Sequence, residues 1–229
     1  MIINETKNSS YKIDPIKMSN DKLIKGVSPP LPQAYNFALF LVGPPGSGKS
    51  TLFLNLINKK TKNTFYKKFH RVYIFSNSLH TITQKIKLPE NRLFNGIDDL
   101  EAVVDDIKGA EDRTLIILDD VISDIKDDKF FKHLLYNRRH IGGGVSLMII
   151  SQVYNRLPLS LRKACSHLVF FNNSNKKELK SIFEDFIRCK EDVYESICDY
   201  IFDDKHNFLF LDVDNKIFYK NFNLLTVIE

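Results

Sequence analysis

The sequence predicts an α/β protein, a mainly parallel sheet covered by helices on both faces, with a β-hairpin at its C-terminal end. Three observations lead there. Five short runs, most of them apolar without alternation, read as strands buried on both faces. The stretches between them are long enough for helices, and strands that alternate with helices form parallel sheets. The end of the chain instead holds two apolar-aromatic runs close together about a polar turn.

Taken in order, residues 1–33 are polar and end in Ser28-Pro29-Pro30-Leu31-Pro32, a stretch unsuited to a helix interior or a central strand. They are expected to form an extended arm, leaving residues 34–229 as one domain. The first strand is expected at 37–42, where Phe37-Ala38-Leu39-Phe40-Leu41-Val42 is stopped by glycine and proline. A helix from 49 to 58 should follow. The second strand is expected at 71–76, then a helix at 98–108 whose acidic start suits a helix N-terminus. Thr114-Leu115-Ile116-Ile117-Leu118 reads as the third strand and runs into Asp119-Asp120. A helix at 127–137 leads to Arg138-Arg139-His140 and the turn Gly142-Gly143-Gly144. Strands at 145–150 and 168–171, helices at 176–186 and 192–200, and a hairpin of 207–213 with 216–221 complete the reading.

A chain of 229 residues can bury the core of one such domain. Hydrophobic residues at 43% and charged residues at 27% are globular values that argue against disordered and fibrous classes. No run approaches the roughly 18 apolar residues of a membrane span, and the start of the chain lacks the apolar core of a secretory signal. No membrane insertion is expected, and the compartment should be cytosol-like. Cys165, Cys189 and Cys198 have neither metal-site nor disulfide-framework spacing and read as reduced packing residues. The formal charge of +5 permits a phosphate-rich partner without demanding one.

The chemistry is concentrated in Gly43-Pro44-Pro45-Gly46-Ser47-Gly48-Lys49-Ser50, a full match to the phosphate-binding P-loop, or Walker A motif, between an apolar strand and a helix. Its glycines let the backbone curl so that successive N–H groups face phosphate oxygens, and the helix start adds positive potential. Lys49 can then reach the β- and γ-phosphates of ATP, and Ser50 can offer its hydroxyl to Mg²⁺. Thr51 is a candidate additional phosphate contact. The fold class is therefore a P-loop NTPase of the ASCE/RecA-like kind.

Asp119, at the end of an apolar strand, is where a Walker B carboxylate would hold the Mg²⁺ shell, directly or through water. Asp120 follows, where a carboxylate could orient or deprotonate the attacking water. Gln152, just past the fourth strand, could sense the γ-phosphate or position that water. Arg138 and Arg139, between a helix and a glycine turn, are candidates for an arginine finger reaching a neighbouring subunit's site, with Arg162 a further candidate. An exposed helix-end pair favoured by the helix dipole is the plainer reading of the first two.

With the P-loop, the Leu-Asp-Asp strand, the Arg-His segment and the strand ending in Ser-Gln in this order, the chain resembles the FtsK and HerA superfamily of DNA-pumping ATPases. It is most similar to the genome-packaging ATPases of nucleocytoplasmic large DNA viruses and their virophages, over about residues 37–171. The resemblance implies Lys49 and Ser50 on ATP and Mg²⁺, Asp119 on the metal shell and Asp120 as the catalytic acid's counterpart. It implies Gln152 as the polar sensor and Arg138 or Arg139 as the finger. It also implies a homo-oligomeric ring, a hexamer or pentamer, that drives double-stranded DNA into a preformed capsid. The further partner would be a capsid or portal-like vertex protein, and the setting virion assembly in the host cytoplasm, with association with the virion also open.

Other readings stay open at this level. A nucleoside or small-molecule kinase shares the glycine loop, and a nucleotide-gated assembly protein could bind ATP without turnover. Asn175-Lys176-Lys177-Glu178 faintly resembles a guanine-recognition motif. No dense basic stripe marks a DNA channel, and Lys126, Lys129 and Lys132 are its candidates.

Overall fold

A computed structural model of the chain describes residues 22–60, 63–125, 128–173, 175–187 and 191–226. Its strands are β1 (Ala38–Val42), β2 (Arg71–Ser76), β3 (Leu93–Asn95), β4 (Thr114–Asp119), β5 (Val145–Ser151), β6 (His167–Phe171), β7 (Phe208–Asp212), β8 (Ile217–Lys220) and β9 (Asn223–Leu224). All lie in one sheet, in the order β3-β2-β4-β5-β1-β6-β7-β8-β9. The pairings from β3 through β6 are parallel, and those from β6 to β9 antiparallel.

The continuous apolar runs follow from burial on both faces. In β1, Ala38, Phe40 and Val42 face one core while Leu39 and Leu41 face the other. The same division holds in β4, with Ile116 and Leu118 against Leu115 and Ile117. One face is covered by α1 (Lys49–Asn58), through Phe53, Leu54 and Leu56. The other carries α3 (Leu100–Ile107) and α4 (Asp128–Asn137), followed in the chain by α6 (Lys176–Ile182) and α7 (Glu191–Ile201). In α3, Leu100, Val103, Val104 and Ile107 all point inward, the i, i+3, i+4, i+7 stripe of a one-sided helix. Two one-turn helices, α2 (Leu79–Ile82) and α5 (Leu159–Arg162), lie in connections.

The structure departs from the sequence reading in several places. The N-terminal segment is not an extended arm over its described part. Ile24, Val27 and Leu31 are buried in the core beneath α1, and Leu23 forms an antiparallel bridge with Ala34. Their apolar side chains belong to the same buried cluster as Phe37, Phe65 and Phe69, which the proline-rich composition did not reveal. The helix expected at 176–186 is α6 followed by a widened π turn at Phe183–Ile187. Finally, β3 is an unexpected parallel edge strand on β2, too short for periodicity to show. Residues 1–21 of the expected arm, Lys126 and Cys189 lie outside the described residues; Cys165 and Cys198 are buried free thiols.

Candidate active site

Because β5 lies between β4 and β1, the loops leaving the C-terminal ends of these three parallel strands stand side by side. The first is the glycine loop. Gly43 N–H donates to Ser151 O (3.2 Å), Ser47 N–H closes a turn on Pro44 O (3.2 Å), and Leu52 N–H begins the helical pattern on Gly48 O (2.9 Å). Gly48, at the N-cap of α1, has φ 113°, a conformation that side chains resist. At Gly43 a Cβ would lie 2.6 Å from the Phe171 Cβ, so the loop can pass over β6 only as glycine.

Lys49 folds back across this loop, its Nζ donating to Gly43 O (2.6 Å) and Pro44 O (3.2 Å). Burial lowers the pKa of its ammonium, and the opposing fields of Asp120 and Asp119 raise it. Ser50 and Thr51 stand exposed on the first turn of α1. A curled backbone, a helix N-terminus and a lysine held by neutral carbonyls can together surround an anion.

The second loop begins at the Asp pair. Asp119 is buried at 5% exposure, and Ser76 at the end of β2 donates its hydroxyl to Asp119 Oδ2 (2.9 Å). Burial raises the Asp119 pKa; the Ser76 bond and Lys49 oppose this, while Asp120 adds to it. Asp120 takes a left-handed conformation, φ 54°, which Asp tolerates better than most residues. That turn swings its carboxylate toward β5, where Gln152 Nε2 donates to Asp120 Oδ2 (2.9 Å). Asn77 donates from Nδ2 to Asp120 O (3.2 Å) and Asp124 Oδ2 (2.6 Å).

A family profile described as Poxvirus A32 protein matches residues 31–187, more than half of the chain. The chain belongs to the Poxvirus A32 protein family. Among solved structures, the A32-family chain is similar to the genome packaging NTPase B204 of Sulfolobus turreted icosahedral virus 2 in complex with sulfate. That match has a TM-score of 0.59 at 18% identity and covers 83% of this chain and 98% of the other. It is also similar to B204 described as the DNA-packaging ATPase of Sulfolobus turreted icosahedral virus, with TM-score 0.59, 16% identity and coverage of 83% and 99%. ATPases 2 and 3 of Thermomonospora curvata EccC match at TM-score 0.52 and 13% identity, covering 84% of this chain and 37% of that one. These likenesses are in the fold, a P-loop NTPase sheet. No curated protein matches the chain significantly.

In the A32-family chain the arginines lie elsewhere. Arg138 donates from Nε to Asn36 O and from Nη1 to Leu135 O, both at 2.6 Å. Asn36 precedes β1 and Gly43 follows it, so Arg138 stands a strand length from the glycine loop, roughly 17 Å for five residues. Burial lowers the Arg138 pKa, opposed by Cys165. Arg139 beside it is exposed. Arg162 is buried, lies under the Tyr154 ring (4.2 Å) and pairs with Asp185 (3.4 Å). A guanidinium packed inside its own subunit does not project outward, whatever its place in the sequence suggests.

The Asn175 motif is a helix cap, its side chain accepting from Lys177 N–H and Glu178 N–H. Glu178 is buried and accepts from Asn173 Nδ2 (2.7 Å), so neither side chain faces the glycine loop's ligand space. Of the candidate channel lysines, Lys129 is exposed and Lys132 half-buried on α4. Ser76, Asn77 and His206, whose Nδ1 lies 3.2 Å from Ser47 O, are site residues that the sequence reading missed. For Ser76 and Asn77 a signal existed, since they end an apolar strand as Asp119 and Gln152 do; His206 had none. Among the described residues, no cluster of three or more His, Cys, Asp or Glu side chains could cage a metal.

Proposed function

We propose that this chain is the ATP-hydrolysing motor of viral genome packaging, moving double-stranded DNA into a preformed capsid as a ring of identical subunits. The observation that carries this is the convergence of Lys49, Asp119, Asp120 and Gln152 at the ends of adjacent parallel strands. The likeness in fold to B204, a genome packaging NTPase and DNA-packaging ATPase, supports the same reading. So do the complexes of B204 with ATP-gammaS and AMPPCP.

In this reading the loop from Gly43 to Ser50, with Thr51, binds the phosphates of ATP. Lys49 exchanges its two carbonyl partners for phosphate oxygens. Mg²⁺ fits this donor set: it prefers one or two carboxylates plus phosphates and water to an all-protein cage. Ser50 and Asp119 would hold it there, and it would neutralise charge on the phosphates. A buried carboxylate whose pKa is raised by desolvation is one that a cation stabilises. Asp120 accepts the proton of the attacking water, and Gln152 fixes which of its oxygens is free to do so. Arg139 is the arginine finger, supplied to the next subunit. Arg138, spent on two main-chain carbonyls, holds the segment that presents it.

DNA, the capsid vertex and a setting at sites of virion assembly are the partners and place that this function requires. The test is steady-state ATP hydrolysis by the purified chain across protein concentrations, with and without long duplex DNA at fixed salt. Turnover rising more than linearly with protein and stimulated by DNA is the expected result. Turnover that ignores both would instead fit a monomeric kinase, and binding without turnover a nucleotide-gated assembly protein.

A further inference from the structure

Beside the glycine loop a cleft of about 730 Å³ runs along α1 and out to the C-terminal strands. This is the size of a small-molecule site rather than of a phosphate notch. Its inner end is the backbone from Gly46 to Lys49. Its outer end is aromatic. Phe171 of β6, Phe208 of β7 and Phe222 after β8 form a chain of rings, with centroids 5.1 Å apart for the first pair and 5.5 Å for the second. Phe171 and Phe208 are buried, but Phe222 at the mouth keeps 44% of its surface exposed. Across the cleft, α1 contributes Thr51 and Asn55, four residues apart and hence on one helix face. The contact of His206 with Ser47 O (3.2 Å) joins the segment that enters β7 to the loop.

We infer that this cleft seats the ribose and base of the nucleotide whose phosphates the glycine loop holds, with the Phe222 ring as the platform on which the base stacks. The inference rests on the phosphate-binding reading of that loop. The cleft opens from the loop itself, so a ligand anchored there by its phosphates has this space for its remainder. Every nucleobase offers a flat π face, and a half-exposed phenyl ring beside buried rings is a surface that such a face covers with little ordering cost. The antiparallel C-terminal strands are thus part of the ligand site, supplying the contact that distinguishes a nucleotide from a bare polyphosphate.

The test is calorimetric titration of the full chain, in the presence of Mg²⁺, with ATP and with inorganic tripolyphosphate. Phe222→Ala should weaken ATP about 5- to 150-fold, the range of base stacking on an aromatic side chain, and leave tripolyphosphate unchanged. The chain has no tryptophan, so Phe222→Trp introduces a single indole, which should keep ATP affinity and be quenched by ATP but not by tripolyphosphate. Unchanged ATP affinity in F222A, equal weakening of both ligands, or an F222W signal indifferent to ATP would overturn the base site. If the wild type binds tripolyphosphate as tightly as ATP, the base site falls and the phosphate loop stands. If it binds neither, the phosphate-loop reading falls and takes the base site with it.

Discussion

Gln152 and Asp120 meet side chain to side chain at 2.9 Å, although they leave different strands and lie 32 residues apart. The left-handed turn at Asp120 (φ 54°) is what brings them together. An amide donating to one carboxylate oxygen leaves the other open, and in the proposed mechanism that second oxygen is the proton acceptor. Gln152→Ala should lower kcat by on the order of 100-fold, the cost of a misplaced catalytic group, while ATP binding is retained. Single-turnover hydrolysis beside an equilibrium titration checks this; a wild-type kcat would show that the contact has no part in catalysis.

Lys49 bridges the carbonyls of Gly43 and Pro44. Lys49→Ala should abolish ATP turnover in a chain that still folds: it leaves Gly43 O and Pro44 O without this donor and removes a field that favours the Asp119 carboxylate, but it also removes an ammonium that burial penalises. Hydrolysis assays together with circular dichroism test both halves, and turnover at the wild-type rate would remove the P-loop assignment.

Arg138 and Arg139 should separate. Arg138→Ala leaves Asn36 O and Leu135 O without their donor and should cost about 1–3 kcal/mol of stability, read from denaturant unfolding. Arg139→Ala should unfold like the wild type and bind ATP, but hydrolyse slowly. Mixed with Asp120→Ala subunits, it should regain activity at interfaces where an intact arginine meets an intact Asp120. Well-assembled mixtures that regain none would count against a finger acting between subunits.

His167, buried on β6 against Asp212 (4.0 Å), is held neutral, its pKa lowered by burial to about 4 with Asp212 opposing. Its folded pKa lies below the unfolded value of 6.5, so the unfolded chain takes up the proton first. The stability that this group contributes is complete above pH 6.5 and is lost as pH falls toward 4. Denaturant unfolding at pH 7 and pH 5 measures this loss, and His167→Gln should flatten the difference; an equal slope in that variant would assign the acid sensitivity to other groups.

The central strands were legible because burial on both faces writes an unbroken apolar run, and Leu39 and Leu41 must satisfy one core while Phe40 and Val42 satisfy the other. The glycine loop was legible because its spacing follows from backbone geometry within eight consecutive residues. The three-residue β3 and the packed segment around Ile24 and Leu31 were not. Each is fixed by residues distant in sequence, β2 in one case and the buried cluster that holds Phe65 and Phe69 in the other, and leaves no period of its own.

Sequence alone carried the fold class, the P-loop motif and the polar residues Asp119, Asp120 and Gln152 at strand ends, because each is encoded locally. Tertiary structure decided which of those groups meet. Sheet order put Gln152 beside Asp120 and Ser76 beside Asp119, stationed Arg138 at the opposite end of β1, and turned Arg162 inward. It also laid Phe208 and Phe222 along α1, far from the loop in sequence. The physical reason is that strand order and side-chain direction are set by non-local packing, which no run of neighbouring residues records.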